Sequence, residues 1–122
     1  MSLMTRAFFI EEPYRVFFPA GLLVGLYGVT LWPFWVWGSM EWYPGVVHAR
    51  LMVMGMLGAF VIGFLGTAMP RMFGVRSFGI ESVLATGSAW VGSVIAHALS
   101  IFWLGDLLFG SALILLAIAI LL

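Results

Sequence analysis

The chain has 122 residues, 64% of them hydrophobic and 8% charged, with a mean hydropathy of +1.18. Soluble domains carry about 25% charged residues, so a chain this short has too little polar surface to cover itself in water. Zero net charge, five arginines without a lysine, and no cysteine exclude a basic nucleic-acid-binding face, a disulfide framework and a thiolate metal site.

Inside lipid the backbone must satisfy its own hydrogen bonds, which leaves helices or closed barrels. Barrel strands alternate apolar and polar residues with a period of two. Here the apolar runs are long and continuous, so the expected fold class is all-α, a polytopic transmembrane helix bundle. The N-terminus does not read as a signal peptide, because Glu11 and Glu12 precede the first apolar stretch and no small-residue cleavage site follows it.

A spanning helix needs about 20 apolar residues. The first expected span covers residues 16–37, with Pro19 and Pro33 near its ends. The second covers 47–69 and is closed by Pro70. The third covers 82–103. A fourth, at 107–122, is apolar to its last residue and has no Arg, Lys, Trp or Tyr to anchor it at an interface. The chain is therefore expected to be a single transmembrane domain belonging to something larger. That is either the N-terminal portion of a longer protein or a short subunit whose last helix ends inside a complex. The lipid bilayer and other transmembrane helices or subunits are the expected partners, in a homo- or hetero-oligomer.

Arginine placement sets the orientation. Arg6 and Arg15 precede the first span, and Arg71 and Arg76 lie between the second and third. The positive-inside rule places these in the cytoplasm and the connection at 38–44 outside. Trp35, Trp37, Trp42 and Tyr43 then form an aromatic belt on the outer side. The expected location is a bacterial inner membrane, with the N-terminus cytoplasmic.

The second span carries the most informative pattern. His48, Met52, Gly55, Ala59, Gly63 and Gly66 follow three-or-four-residue spacing and share one face. Gly55, Ala59 and Gly63 form overlapping small-xxx-small units, which suit close approach of a second helix and equally leave room for a flat macrocycle. His48 stands at the outer end of that face. Imidazole ligates haem iron and copper well, and an interfacial histidine bonded to headgroups or water is the competing reading. Arg50 points to another face, where it can snorkel to the interface, pair with Glu41 or meet a haem propionate. Met52, Met54 and Met56 read as packing, with only Met52 on the histidine face.

In the third span Ser93, His97 and Ser100 make a polar stripe that should look inward. At a rise of about 1.5 Å per residue, His97 and His48 differ in depth by roughly one turn. A shared metal site is thus open to the pair, as is a hydrogen bond from His97 to a neighbouring Ser or carbonyl. Asp106 reads as a solvated interfacial charge, and Glu11 and Glu12 as cytoplasmic surface charges. No GxGxxG, Walker loop, HExxH or paired intramembrane carboxylate is present, and the scarcity of intramembrane charge argues against a transporter.

Two blocks carry a family resemblance. Pro13-Tyr14-Arg15-Val16-Phe17-Phe18 resembles the Pro-aromatic-Arg-x-Phe-Phe start of NnrS-family membrane proteins. Gly63-Phe64-Leu65-Gly66-Thr67-Ala68-Met69-Pro70 resembles the family's Gly-Phe-Leu-x-Thr-Ala-x-Pro block. Order and spacing agree over residues 13–74. The resemblance implies a polytopic membrane protein of the nitric oxide response or respiratory redox chemistry, containing haem b and copper. It is distantly similar to the haem-copper oxidases, and His48 would be an axial haem ligand. The family's His-Ala-His-Glu-Met motif reads His48-Ala49-Arg50-Leu51-Met52 here, so its second His and its Glu are replaced. The candidate cofactor site is therefore His48, His97, Arg50, Gly55, Ala59 and Gly63, with His48 and His97 as metal ligands. The alternative is a non-catalytic transmembrane subunit that ligates no cofactor.

Overall fold

The computed structural model describes Met4, residues 12–75 and residues 78–122. Arg6, Glu11 and Arg76, used above, lie outside the described residues. The described chain folds into four main helices: α1 (Tyr14–Val36), α2 (Gly45–Met72), α3 (Ile80–Ala98) and α4 (Phe102–Leu121). No strand occurs among the described residues, so the all-α helix bundle is the observed class.

Three helices are long and apolar enough to cross a membrane: α1 with 23 residues, α2 with 28 and α4 with 20. These are not the three expected full spans. The third expected span falls on α3, which has 19 residues and turns Thr86, Ser93 and His97 inward. The fourth expected span gains a turn at its start, because the chain breaks after Ala98 and resumes helix at Phe102. Trp103 and Asp106 thus belong to α4. The break is made by Ser100, at φ 63°, with Ser100 N bonded to His97 O and Ile101 N to Ala96 O. This is a Schellman closure. α1 and α2 end on the same pattern, with Gly38 and Gly74 at positive φ. Pro70 does not end α2, which runs on to Met72 before Gly74 closes it.

The packing is inverted relative to a soluble protein. Thr86, Ser93 and His97 are each 1% exposed, whereas Leu23, Val36 and Ile114 are more than 60% exposed. An outward apolar surface around an inward polar stripe suits lipid and would be costly in water. The chain is an integral membrane protein.

Neighbouring helices run antiparallel. Along α1 and α2, Phe17 lies at Gly63, Gly21 at Ala59, Gly25 at Met56 and Gly28 at Met52, so the pairing descends on one helix as it climbs on the other. Along α2 and α3, Trp90 meets Gly55 and His97 meets Arg50. The α3–α4 hairpin closes where His97 meets Gly105 and Leu108 meets Gly92. One apolar core gathers Phe17, Ala59, Ile62, Phe78, Trp90, Ala112 and Leu116. A second, at the end bearing the α1–α2 connection, gathers Leu31, Val47 and Leu51.

Within α2, residues Leu51–Leu57 adopt the wider π-helical turn. Single π turns inside α-helices are rare and often mark functional sites. A wide turn disturbs the regular carbonyl ladder, and the Trp90 indole Nε1 donates into it, to Gly55 O at 3.0 Å and Met54 O at 3.2 Å.

Candidate functional site

His48 and Arg50 leave the first turns of α2 two residues apart, about 200° around the helix. They therefore serve opposite sides of it. His48 turns toward α1, where its Nδ1 lies 2.9 Å from the Gly28 carbonyl oxygen. A carbonyl only accepts, so Nδ1 carries the hydrogen and donates it. The ring also meets Trp32 edge-on, with centroids 5.5 Å apart. Trp32 in turn packs on Trp35 and Tyr43. Among the described residues nothing hydrogen-bonds to Nε2 of His48, which keeps its lone pair.

The Gly55–Ala59–Gly63 stripe faces α1 as well. A Cβ on Gly21 would stand 2.8 Å from Ala59 Cβ, and one on Gly63 would stand 3.0 Å from Phe17 Cβ. The room left by the small residues is filled by α1, so no flat space remains along that stripe in the described chain. Met56 joins Met52 on this face, packing on Gly25. The two are four residues apart, a spacing that the sequence reading of the methionines overlooked.

His97 belongs to a different environment. It is 1% exposed, and its Nε2 lies 3.2 Å from Asp106 Oδ1 and 3.3 Å from Arg50 Nη1. Its Nδ1 lies 3.5 Å from Ser93 Oγ, which donates to Gly105 O at 2.9 Å. Arg50 and Asp106 form an ion pair, and the Arg50 guanidinium lies 4.7 Å from the Phe102 ring centroid. The ring of His97 rests directly on Gly105, where any side chain would strike it. Arg50 is thus held by Asp106, His97 and Phe102; among the described residues it forms no ion pair with Glu41.

His48 and His97 share no partner and face different sides of α2. Among the described residues no three His, Cys, Asp or Glu side chains cluster as a metal-binding group. Sequence reasoning missed Asp106 as a partner of both Arg50 and His97. The available signal was the arithmetic of charge: a chain with so few ionic groups rarely leaves an Arg and an Asp near one membrane end unpaired.

At the other end of the bundle the two resemblance-bearing blocks meet. Tyr14 N donates to Thr67 Oγ1 at 3.1 Å, and Pro13 packs on Gly66. Glu12 forms an ion pair with Arg71 and is 7% exposed, so it is a buried partner rather than a surface charge. The blocks therefore form one α1–α2 junction, held by a threonine hydroxyl, a glycine contact and a salt bridge.

A family model described as NnrS protein matches residues 8–122. Neither a curated protein nor a solved structure matches the chain.

Proposed function

The chain belongs to the NnrS family, and from that membership we propose that it binds haem b through His48 and serves the nitric oxide response or respiratory redox chemistry of a bacterial inner membrane. The supporting observation is the state of His48. Its Nδ1–H is spent on the Gly28 carbonyl, and its Nε2 lone pair is unused among the described residues. Metal-ligating histidines characteristically donate their other ring N–H to a carbonyl or carboxylate, which fixes the tautomer and the ring plane. A haem bound at Nε2 would supply one-electron chemistry and a coordination position for a diatomic gas. The chain's own contribution is orientation: Gly28 fixes the proton, Trp32 limits ring rotation, and the aromatic cluster with Trp35 and Tyr43 shields that end.

The remaining candidate residues play other parts in this reading. Gly55, Ala59 and Gly63 bring α1 close enough for the Gly28 carbonyl to reach His48. His97 and Arg50 are committed to Asp106 and are assigned no ligand role. For copper, no three His, Cys, Asp or Glu side chains cluster among the described residues, and no copper site is derived. The alternative of a non-catalytic subunit is supported by the same stripe, since α1 already occupies it.

The full chain, purified in detergent from haem-supplied cells, should show a Soret band. His48→Ala should lose it, while His97→Gln should keep it. A wild-type chain without haem would overturn the proposal in favour of the subunit reading. Retention of the band in His48→Ala would move the ligand elsewhere. For the physiological part, cells lacking the chain should grow more slowly than their parent under a nitric oxide donor, and equal growth would count against that role.

A further inference from the structure

Ser93, His97, Arg50 and Asp106 form a polar cluster that the haem proposal leaves unused. Its hydrogen-bond polarities constrain where protons sit. The Ser93 hydroxyl has one proton, and the Gly105 carbonyl at 2.9 Å can only accept it. Ser93 Oγ therefore turns a lone pair toward His97 Nδ1 at 3.5 Å, and Nδ1 carries a hydrogen.

The other ring nitrogen faces two opposed demands. Arg50 Nη1, at 3.3 Å, only donates, and the Asp106 carboxylate, at 3.2 Å, only accepts. An Nε2 lone pair suits Arg50, and an Nε2 proton suits Asp106. With Nδ1 already protonated, these alternatives are the neutral imidazole and the imidazolium. Both are provided with a partner in the same geometry. The charged side chains that contact His97 among the described residues are Arg50 from α2 and Asp106 from α4. Its own helix contributes the uncharged Ser93, and α1 contributes no charged group to the cluster.

We propose that His97 is a proton-binding site loaded through Asp106. The His97 side chain is 1% exposed and that of Asp106 is 46% exposed, so the carboxylate is the route by which a proton from water reaches the ring. A proton taken up on Asp106 Oδ1 passes to the Nε2 lone pair. The O–H bond breaks, the N–H bond forms, and the restored carboxylate faces the imidazolium it has made. Arg50 holds the carboxylate throughout, and Gly105 admits the ring to the α4 backbone.

The test is nitrogen NMR of the full chain in detergent micelles, with ¹⁵N-labelled histidine rings, between about pH 5 and about pH 8. The His97 signals are assigned by their loss in His97→Gln. The neutral ring should carry its hydrogen on Nδ1, and acidification should add the second hydrogen at Nε2. Asp106→Asn should keep the Nδ1–H form and lose the imidazolium signal over the same range. A neutral wild-type ring with its hydrogen on Nε2 would overturn the proposal. So would a wild-type ring that never protonates in the range, or an Asp106→Asn ring that protonates as the wild type does. The wild-type tautomer decides the first point even where Asp106→Asn fails to fold.

Discussion

Single residues in this chain do their work through backbone groups as often as through other side chains. His48 is oriented by a carbonyl of α1, Ser93 is fixed by a carbonyl of α4, and Trp90 caps the disturbed ladder of α2. Ser100 is the exception, a residue whose own backbone is strained. It holds φ 63° with a Cβ in place, whereas the equivalent positions after α1 and α2 are glycines. Left-handed conformation costs a non-glycine residue free energy that glycine avoids. Ser100→Gly should therefore stabilise the bundle by about 1 kcal/mol, seen as a higher thermal midpoint in detergent. A lower midpoint would show that the serine makes a contribution the turn geometry does not reveal.

At the scale of elements, the α1–α2 pair is governed by where its glycines fall. A Cβ at Gly21 would stand 2.8 Å from Ala59 Cβ, while a Cβ at Gly110 of α4 would meet nothing within 4 Å. In lipid there is no hydrophobic drive between helices, so close van der Waals contact is a main source of their association. Gly21→Leu should force α1 off α2 and cost about 1–3 kcal/mol, as overpacking does elsewhere. Gly110→Ala should be neutral or stabilise α4 by up to about 1 kcal/mol through higher helix propensity. Thermal denaturation of both variants in the same detergent separates the two cases. Equal loss in both would mean that Gly110 is covered by something beyond the described contacts. Displacing α1 also removes the Gly28 carbonyl from His48, so under the proposal that His48 binds haem, Gly21→Leu should weaken haem retention without touching the histidine.

For the whole molecule, the bundle has two chemically different ends. One holds Glu12, Arg71 and the Tyr14–Thr67 contact, and the other holds His48 and the Arg50–Asp106–His97 cluster beside the tryptophans. The positive-inside rule predicts that the Arg71 end is cytoplasmic. Because the chain has no cysteine, single replacements report the side directly. Ser39→Cys should react with an impermeant maleimide on intact cells, and Gly79→Cys only after the membrane is opened. The reverse pattern would turn the molecule over and place the proton-binding cluster on the cytoplasmic side.

The sequence by itself determined the membrane class, the existence of four helices, the inward placement of Ser93 and His97 on α3 and the family; Ser100, expected on the same inward stripe, is instead exposed in the turn that follows α3. Each of these follows from composition, from periodicity along one strand of chain, or from a contiguous motif. Residues 13–18 and 63–70 could be read as separate blocks for that reason, although their meeting at Gly66 and Thr67 could not. Only the tertiary structure decided what the candidate site residues do. His48 and Arg50 are neighbours in sequence, yet the helical turn sends one to the Gly28 carbonyl and the other to Asp106, 56 residues away. His97 and Asp106, nine residues apart, meet only because Ser100 folds α4 back on α3. The outlying polar groups that complete a buried charge come from other helices, and no local pattern encodes which helix will supply them.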